Sequence, residues 1–145
     1  MFVVNVEVYL RRGDRCLLIR RGEGMSNAAG LLAGVGGKAE PDSVNRDDIL
    51  EETARREVAE EVGVDLTGVP LSYVESVFFP ADDGVPVINV VFTGELPPGA
   101  EPRAASPDEV AEVLWLGPDE AANHPKCPAW TARSLLKVFE THIDG

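Results

Sequence analysis

The stretch "REVAEEVGV", residues 56–64, brings Glu57, Glu60 and Glu61 within five residues of one another with no lysine among them. Carboxylates spaced this way can serve as an oxygen-rich site for a hard divalent cation. Mg²⁺ takes oxygen ligands, keeps several waters, and commonly binds through a few carboxylates plus the phosphates of a substrate. The plainer reading is an acidic face turned to solvent, and the direction in which each side chain points decides between the two.

The elements that would carry these residues are legible. Asp48 followed three residues later by Glu51 resembles a capping box, Gly63 suits the left-handed residue after a last turn, and nothing between them breaks a helix. A helix is predicted over about Ile49 to Val62. At ~100° per residue, Leu50, Ala54 and Val58 form its apolar stripe, Glu57 and Glu61 fall within the same arc, and Glu60 lies beside its edge. That placement opposes local physics. Glu57 and Glu61 repel at i,i+4, all three acids sit in the half where the helix dipole disfavours anions, and partial burial adds desolvation. The outer face, by contrast, offers favourable i,i+4 pairs, Glu51 with Arg55 and Glu52 with Arg56. A local rule broken without local compensation points to function, and one or more divalent cations would supply the compensation.

Around this helix the chain reads as strands in hairpins. Val4, Val6, Val8 and Leu10 alternate with Asn5, Glu7 and Tyr9 as in a half-buried strand, and "RRGD" (11–14) turns the chain into "RCLLIRR". Residues 22–37 are rich in glycine and small residues and read as a loop with at most a short central strand. "LSYVESVFF" (71–79) and "VPVINVVFTGEL" (85–96) form a second hairpin around "PADDG". The loop-like residues 97–109 precede a short strand at 112–116. Leu135, Leu136, Val138, Phe139 and Ile143 give residues 130–143 the spacing of an amphipathic closing helix. Strands clustered into hairpins argue for an α+β fold over a doubly wound sheet.

Composition bounds the function. A chain of 145 residues with 44% apolar content suits one domain, residues 1–145. Its net charge of -12 repels polyanions, so a nucleic acid polymer is not an expected partner, whereas a small phosphorylated ligand is admissible if cations offset its charge. Cys16 and Cys127 lack metal-ligand spacing and read as reduced thiols. The alternating N-terminus lacks the pattern of a signal peptide, and no apolar run reaches membrane-spanning length, so a soluble cytoplasmic protein without membrane partners is expected. His124 and His142 sit in separate contexts and take no role. Oligomeric state is not legible, and a homodimer stays open.

"REVAEEVGV" resembles the second half of the Nudix box, whose pattern is Gly, five residues, Glu, seven residues, then Arg-Glu-aliphatic-any-Glu-Glu-any-Gly-aliphatic. Arg56, Glu57, Val58, Glu60, Glu61, Gly63 and Val64 fill that half, and "GVGGKAEP" (34–41) resembles its glycine-rich entry with Gly37 as the first specified residue. "PDEVAEVLWLGPDEA" (107–121) looks like the acidic loop and Trp-bearing strand common in the family. The chain departs from the pattern in one respect: eighteen residues separate Gly37 from Arg56 where the box has thirteen, and the surplus lies within "DSVNRDDILEE". Counting back from Arg56 gives Asp48, counting on from Gly37 gives Ser43, and the Glu51 spacing favours Asp48 as a helix cap over a box carboxylate.

The resemblance implies the Nudix fold, a mixed β-sheet sandwiched between α-helices, and a Mg²⁺-dependent (or Mn²⁺-dependent) pyrophosphohydrolase. Its substrate would be a nucleoside triphosphate or another nucleoside diphosphate derivative. It implies that Glu57, Glu60 and Glu61 with the Gly36 carbonyl hold metal, and that Arg56 orients the adjoining carboxylates. Gly37, Lys38 and Arg21 would meet the phosphates. The base would be a box glutamate, Glu60 or Glu61, or an acid of the later loop, where Glu109 is the candidate with Asp108 and Glu112 competing for that role. The alternative is a non-catalytic module of the same fold that binds a nucleotide or a protein, which would call for loss of a helix carboxylate.

Overall fold

The computed structural model describes residues 1–40 and 47–142. Its strands are β1 (Val3–Arg12), β2 (Arg15–Arg21), β3 (Leu32–Ala33), β4 (Val35–Lys38), β5 (Ser72–Pro80), β6 (Pro86–Glu95) and β7 (Val110–Leu116). Its helices are α1 (Ile49–Val62), α2 (Pro118–Ala122) and α3 (Ala129–Glu140). The strands make one mixed sheet with the central order β3-β2-β1-β6-β5, and the fold is α+β.

The two expected hairpins form, but they do different work. β5 and β6 pair antiparallel from Ser72↔Thr93 to Pro80↔Pro86. β1 and β2 pair only beside their turn, at Arg11↔Cys16 and Arg12↔Arg15. The rest of β1 runs parallel to β6 on one side, Val3↔Val87 through Arg11↔Glu95. On its other side Asn5–Val8 pairs antiparallel with β4, while β2 turns away to pair with β7 and β3. The sheet therefore forks between β4 and β2. Close approach of β4 requires glycine, since a Cβ on Gly36 would strike the Val6 carbonyl.

Period-two alternation sends the two sides of β1 into different layers. Val6, Val8 and Leu10 join Leu17, Ile19, Val90 and Phe92 beneath Ala54, Val58 and Val62 of α1. Each fully buried aliphatic chain of this kind stabilises the fold by about 1.5–3 kcal/mol. Tyr9, on the opposite side, packs with Cys16, Leu18, Val91, Leu135 and Val138 under α3. β1 is thus an interior strand covered on both faces along part of its length, where alternation alone had suggested one wet face.

Across that second face α3 is fastened by side chains. Thr131 Oγ1 donates to the Leu32 carbonyl at 3.0 Å, and Ser134 Oγ to Glu75 Oε2 at 2.8 Å. Lys137 pairs with the other Glu75 oxygen at 3.3 Å. Of the expected apolar stripe, Leu135 and Val138 are buried, but Leu136 is 52% exposed, one residue around the helix from the seam. Ile143 lies outside the described residues. The short α2 was not anticipated, although Pro118 at its first position and Glu120 accepting from the Gly117 N–H at 3.0 Å mark its start. Both cysteines are free thiols. Among the described residues no helix is long and apolar enough to cross a membrane.

Candidate functional site

α1 has the bounds that the sequence predicts, and its ends explain where its acids point. Gly63 adopts φ 70° and returns its N–H to the Ala59 carbonyl at 3.1 Å. Asp48 holds the N-cap position, but at φ 52° its side chain makes no capping bond, so the capping-box expectation fails. Ser43 and residues 42–46 of the lengthened segment lie outside the described residues. Past the helix, the chain doubles back. Arg103 N–H donates to the Val62 carbonyl at 3.0 Å and Ala105 N–H to the Glu61 carbonyl at 2.9 Å, so residues 103–105 satisfy the last turn of α1.

The same return delivers Glu109. Ser106 accepts from the Glu109 and Val110 N–H groups at 3.0 and 2.8 Å, closing a turn, and Gly22 N–H donates to the Glu109 carbonyl at 3.0 Å. Gly22 is needed there because a Cβ would run into the Asp108 carbonyl. The outcome is a cluster of three acids: Glu57, Glu61 and Glu109 bring one carboxylate oxygen each to within 4.8 Å of one another. Glu61 is 4% exposed, Glu57 partly buried and Glu109 exposed. Beside them a cavity of about 510 Å³ opens between residues 22–25 and 107–111. Another, of about 340 Å³, lies on the outer flank of α1 and is lined by none of the three acids.

Electrostatics at the cluster are adverse without a cation. Burial first, then the hydrogen bond with Glu57 and the charges of Glu57 and Glu109, push the Glu61 carboxyl from about 4.5 up to about 9, with Arg21 opposing. Glu57 also rises, through burial and then the charges of Glu60 and Glu109, against the lowering effects of its bond to Glu61 and of Arg56. The two carboxyls face each other and can share one proton, which sits better on the more buried Glu61. Glu57 also fills the space above Gly37, where a Cβ would come within 2.5 Å of its Cδ. Oxygen donors alone, partly buried, mutually repelling and flanked by the β4 backbone, fit a hard divalent cation.

The other sequence-predicted residues are distributed around this point. Glu60 is exposed and outside the three-acid cluster, although its charge bears on Glu57. Arg56 reaches Glu57 at 3.7 Å, in keeping with a positioning role. Neither expected i,i+4 pair forms: Arg55 donates to the Val69 carbonyl at 2.9 Å and meets Glu52 at 3.6 Å, because the chain after α1 offers it carbonyls that a lone helix lacks. Arg21 donates to the Asn27 carbonyl at 2.8 Å and faces Glu61 electrostatically. Gly36 and Gly37 lie in β4, with the exposed Lys38 at its end. Glu112 is drawn away by Arg20 at 2.9 Å. Trp115 packs against the α1-side core beneath the Arg12 guanidinium.

The sequence reading passed over Asn5, Glu7 and Asn89, which are hydrogen-bonded to one another on the central strands β1 and β6. The alternation in β1 marks Asn5 and Glu7 only as its polar half. The signal that could have found them was the Asn within "VPVINVVF", a polar residue inside an otherwise apolar run.

Comparison with known proteins agrees with this geometry. The model of the NUDIX domain matches residues 1–138. The Nudix hydrolase YfcD of Escherichia coli K12 is 33% identical over 121 residues, covering 83% of this chain and 61% of YfcD, so the chain spans about three fifths of that relative's length. Among solved structures, the MutT protein of Methanosarcina mazei Go1 superposes with a TM-score of 0.77 at 27% identity, covering 96% of this chain and 94% of that one. The MutT NUDIX hydrolase of Burkholderia pseudomallei gives 0.76 at 24%, covering 95% and 98%. The Nudix domain of Shewanella oneidensis NrtR, complexed with ADP ribose, shares the fold at 0.68 and 18%, covering 97% and 86%. With the family model spanning nearly the whole chain and the box residues gathered around one acidic cluster, the chain belongs to the Nudix hydrolase family.

Proposed function

We propose that residues 1–145 form one catalytic domain, a divalent-metal-dependent pyrophosphohydrolase cleaving a phosphoanhydride bond in a nucleoside triphosphate or another nucleoside diphosphate derivative. The observation that carries this reading is the buried Glu61 carboxyl held against Glu57 and Glu109 with, among the described residues, Arg21 and Arg56 to offset the charge. Glu57, Glu61, the Gly36 carbonyl and, from the water side, Glu60 would hold Mg²⁺ or Mn²⁺. Bound there, the ion would neutralise phosphate oxygens and acidify an attacking water. Arg56 keeps Glu57 turned toward the cluster, and Lys38 and Arg21 place positive charge where phosphates would arrive. Glu109, exposed at the solvent side of the cluster, would take the proton of the attacking water. The ADP ribose bound by the Shewanella relative is the kind of nucleoside diphosphate derivative this reading admits. A non-catalytic binding module is less well supported, because every box carboxylate of the helix is present.

The test is a panel of nucleoside triphosphates, nucleotide sugars, ADP-ribose and dinucleotides with Mg²⁺ or Mn²⁺, read by product phosphates. Hydrolysis of at least one, abolished by chelation, is expected. No turnover of any member with either metal would sink the proposal. Gly37→Ala offers an independent check, since the new Cβ must displace the Glu57 carboxyl while the extended backbone tolerates alanine. Mn²⁺ affinity or activity should fall about 10–100-fold, the usual cost of disturbing a group that orients a ligand. Unchanged Mn²⁺ binding and rate would separate Glu57 from the site.

A further inference from the structure

The polar chain on β1 and β6 has a direction built into it. Glu7 is acceptor-only when ionised: its Oε2 receives the Tyr9 hydroxyl at 3.0 Å and the Gly34 N–H at 2.9 Å, and its Oε1 receives Asn89 Nδ2 at 2.9 Å. Burial, then the Glu7 charge, raises the Tyr9 phenol well above its usual range, so Tyr9 stays a donor. Because Asn89 must turn its NH₂ to Glu7, its Oδ1 faces Asn5 and receives Asn5 Nδ2 at 2.8 Å. The orientation of the last amide follows by the same logic. Asn5 is left with its Oδ1 and its second N–H, and among the described residues neither has a further partner. A carboxylate two residues away in the network has thus fixed which end of the Asn5 amide accepts and which donates.

The position of this amide suits a ligand better than a core. Lys38, Asn5, Asn89 and Val77 are register neighbours across β4, β1, β6 and β5, each about 4.8 Å from the next. α3 crosses the adjoining row, where Ser134 meets Glu75, the register partner of Val91, and Asn5 lies beyond it toward the β5–β6 turn. At that end Asn27 Oδ1 accepts the Asp82 N–H at 3.1 Å, tying the loop from Arg21 to the turn. Lys38 follows Gly37, on which Glu57 rests. Half-buried amides on interior strands, one residue along β4 from the glycine on which Glu57 rests, form a polar floor on the α3 side of the sheet.

We propose that Asn5 is the specificity-determining residue for the base of the nucleotide, reading an edge that carries a donor beside an acceptor, with Asn89 and Glu7 as its positioning residues. The inference rests on the nucleotide reading above. A base presenting two adjacent acceptors, as guanine does at N7 and O6, is mismatched at that edge.

The test measures binding apart from turnover: calorimetry in Mg²⁺ with non-hydrolysable triphosphate analogues of the four bases and with inorganic tripolyphosphate. The wild type should prefer one base. Asn5→Leu, close in size, should weaken that analogue by about tenfold or more and flatten the preference, leaving tripolyphosphate within about twofold. Glu7→Gln, which frees the amides to flip, should reduce or invert the preference without a matching loss of tripolyphosphate binding. That change in ratio would not follow from a merely structural network, and melting temperatures identify any variant that has lost its fold. A wild-type pattern of preference in both folded variants, or a wild type that binds no analogue or all equally, overturns the assignment. Preference governed by Asn5 in a protein that hydrolyses nothing would instead leave it standing and overturn the hydrolase reading.

Discussion

Glu61→Gln is expected to melt higher than the wild type in metal-free buffer at pH 8, yet to hydrolyse nucleotide about 10³-fold more slowly in Mg²⁺. Both effects have one cause. Glu61 is 4% exposed, faces Glu57 and lies near the Glu109 charge, and its carboxyl is pushed up to about 9. A group whose folded pKa exceeds its unfolded value contributes its stability fully below the unfolded pKa, near 4.5, and loses it as pH rises toward about 9. Metal-free wild type should therefore lose melting temperature steadily across that window, and the neutral isostere should remove most of the slope. Adding Mg²⁺ or Mn²⁺ should restore the wild type at high pH and do little for the variant. The measurement is thermal melting against pH with and without metal, alongside steady-state rates. Turnover within tenfold of wild type, or a metal-free variant that melts lower, would detach Glu61 from the proposed role. On this reading the usual trade between stability and activity would be concentrated in one carboxyl.

How far the sequence disclosed this site depended on the range of the interactions. The limits of α1, the inward turn of Glu57 and Glu61, and Gly63 as its stop are helix-local facts, and all were legible from spacing. So was the β5–β6 hairpin, which needs only its own turn and alternation. What escaped depends on chain brought from elsewhere. The parallel pairing of β1 with β6 and the closure of β4 on β1 join residues about 30 to 80 positions apart, and no local pattern encodes them. Helix rules pair Arg55 with Glu51, yet carbonyls at 66 and 69 outcompete that ion pair. Asp48 shows the opposite error, a good cap type placed in a left-handed backbone that turns its side chain away. The polar network of Asn5, Glu7 and Asn89 was hidden because alternation looks the same whether the second face meets water, a helix or a ligand.

Three acids of the later loop compete in the sequence for the role of base, and the fold distinguishes them sharply enough for a second large effect. Glu109→Gln is expected to lower kcat by about 10²–10³-fold, with Asp108→Asn and Glu112→Gln within about twofold of wild type. Glu112 has its oxygen held by Arg20 at 2.9 Å, on the far side of the strand pairing with β2. Asp108 touches the site through its backbone carbonyl at Gly22, and its carboxylate is absent from the cluster. Glu109 alone of the three brings a carboxylate to Glu57 and Glu61, and does so from the solvent side. A base needs to exchange its proton with water and a ligand does not, so exposure favours the first role for Glu109 and burial the second for Glu61. The two roles separate by experiment. Loss of rate with Mn²⁺ affinity kept, and with the acidic limb of the kcat/KM profile removed, marks a base, whereas parallel loss of affinity marks a metal ligand. Wild-type turnover in Glu109→Gln would exclude both and shift attention to Glu57, which faces Glu61 and already has Arg56 beside it.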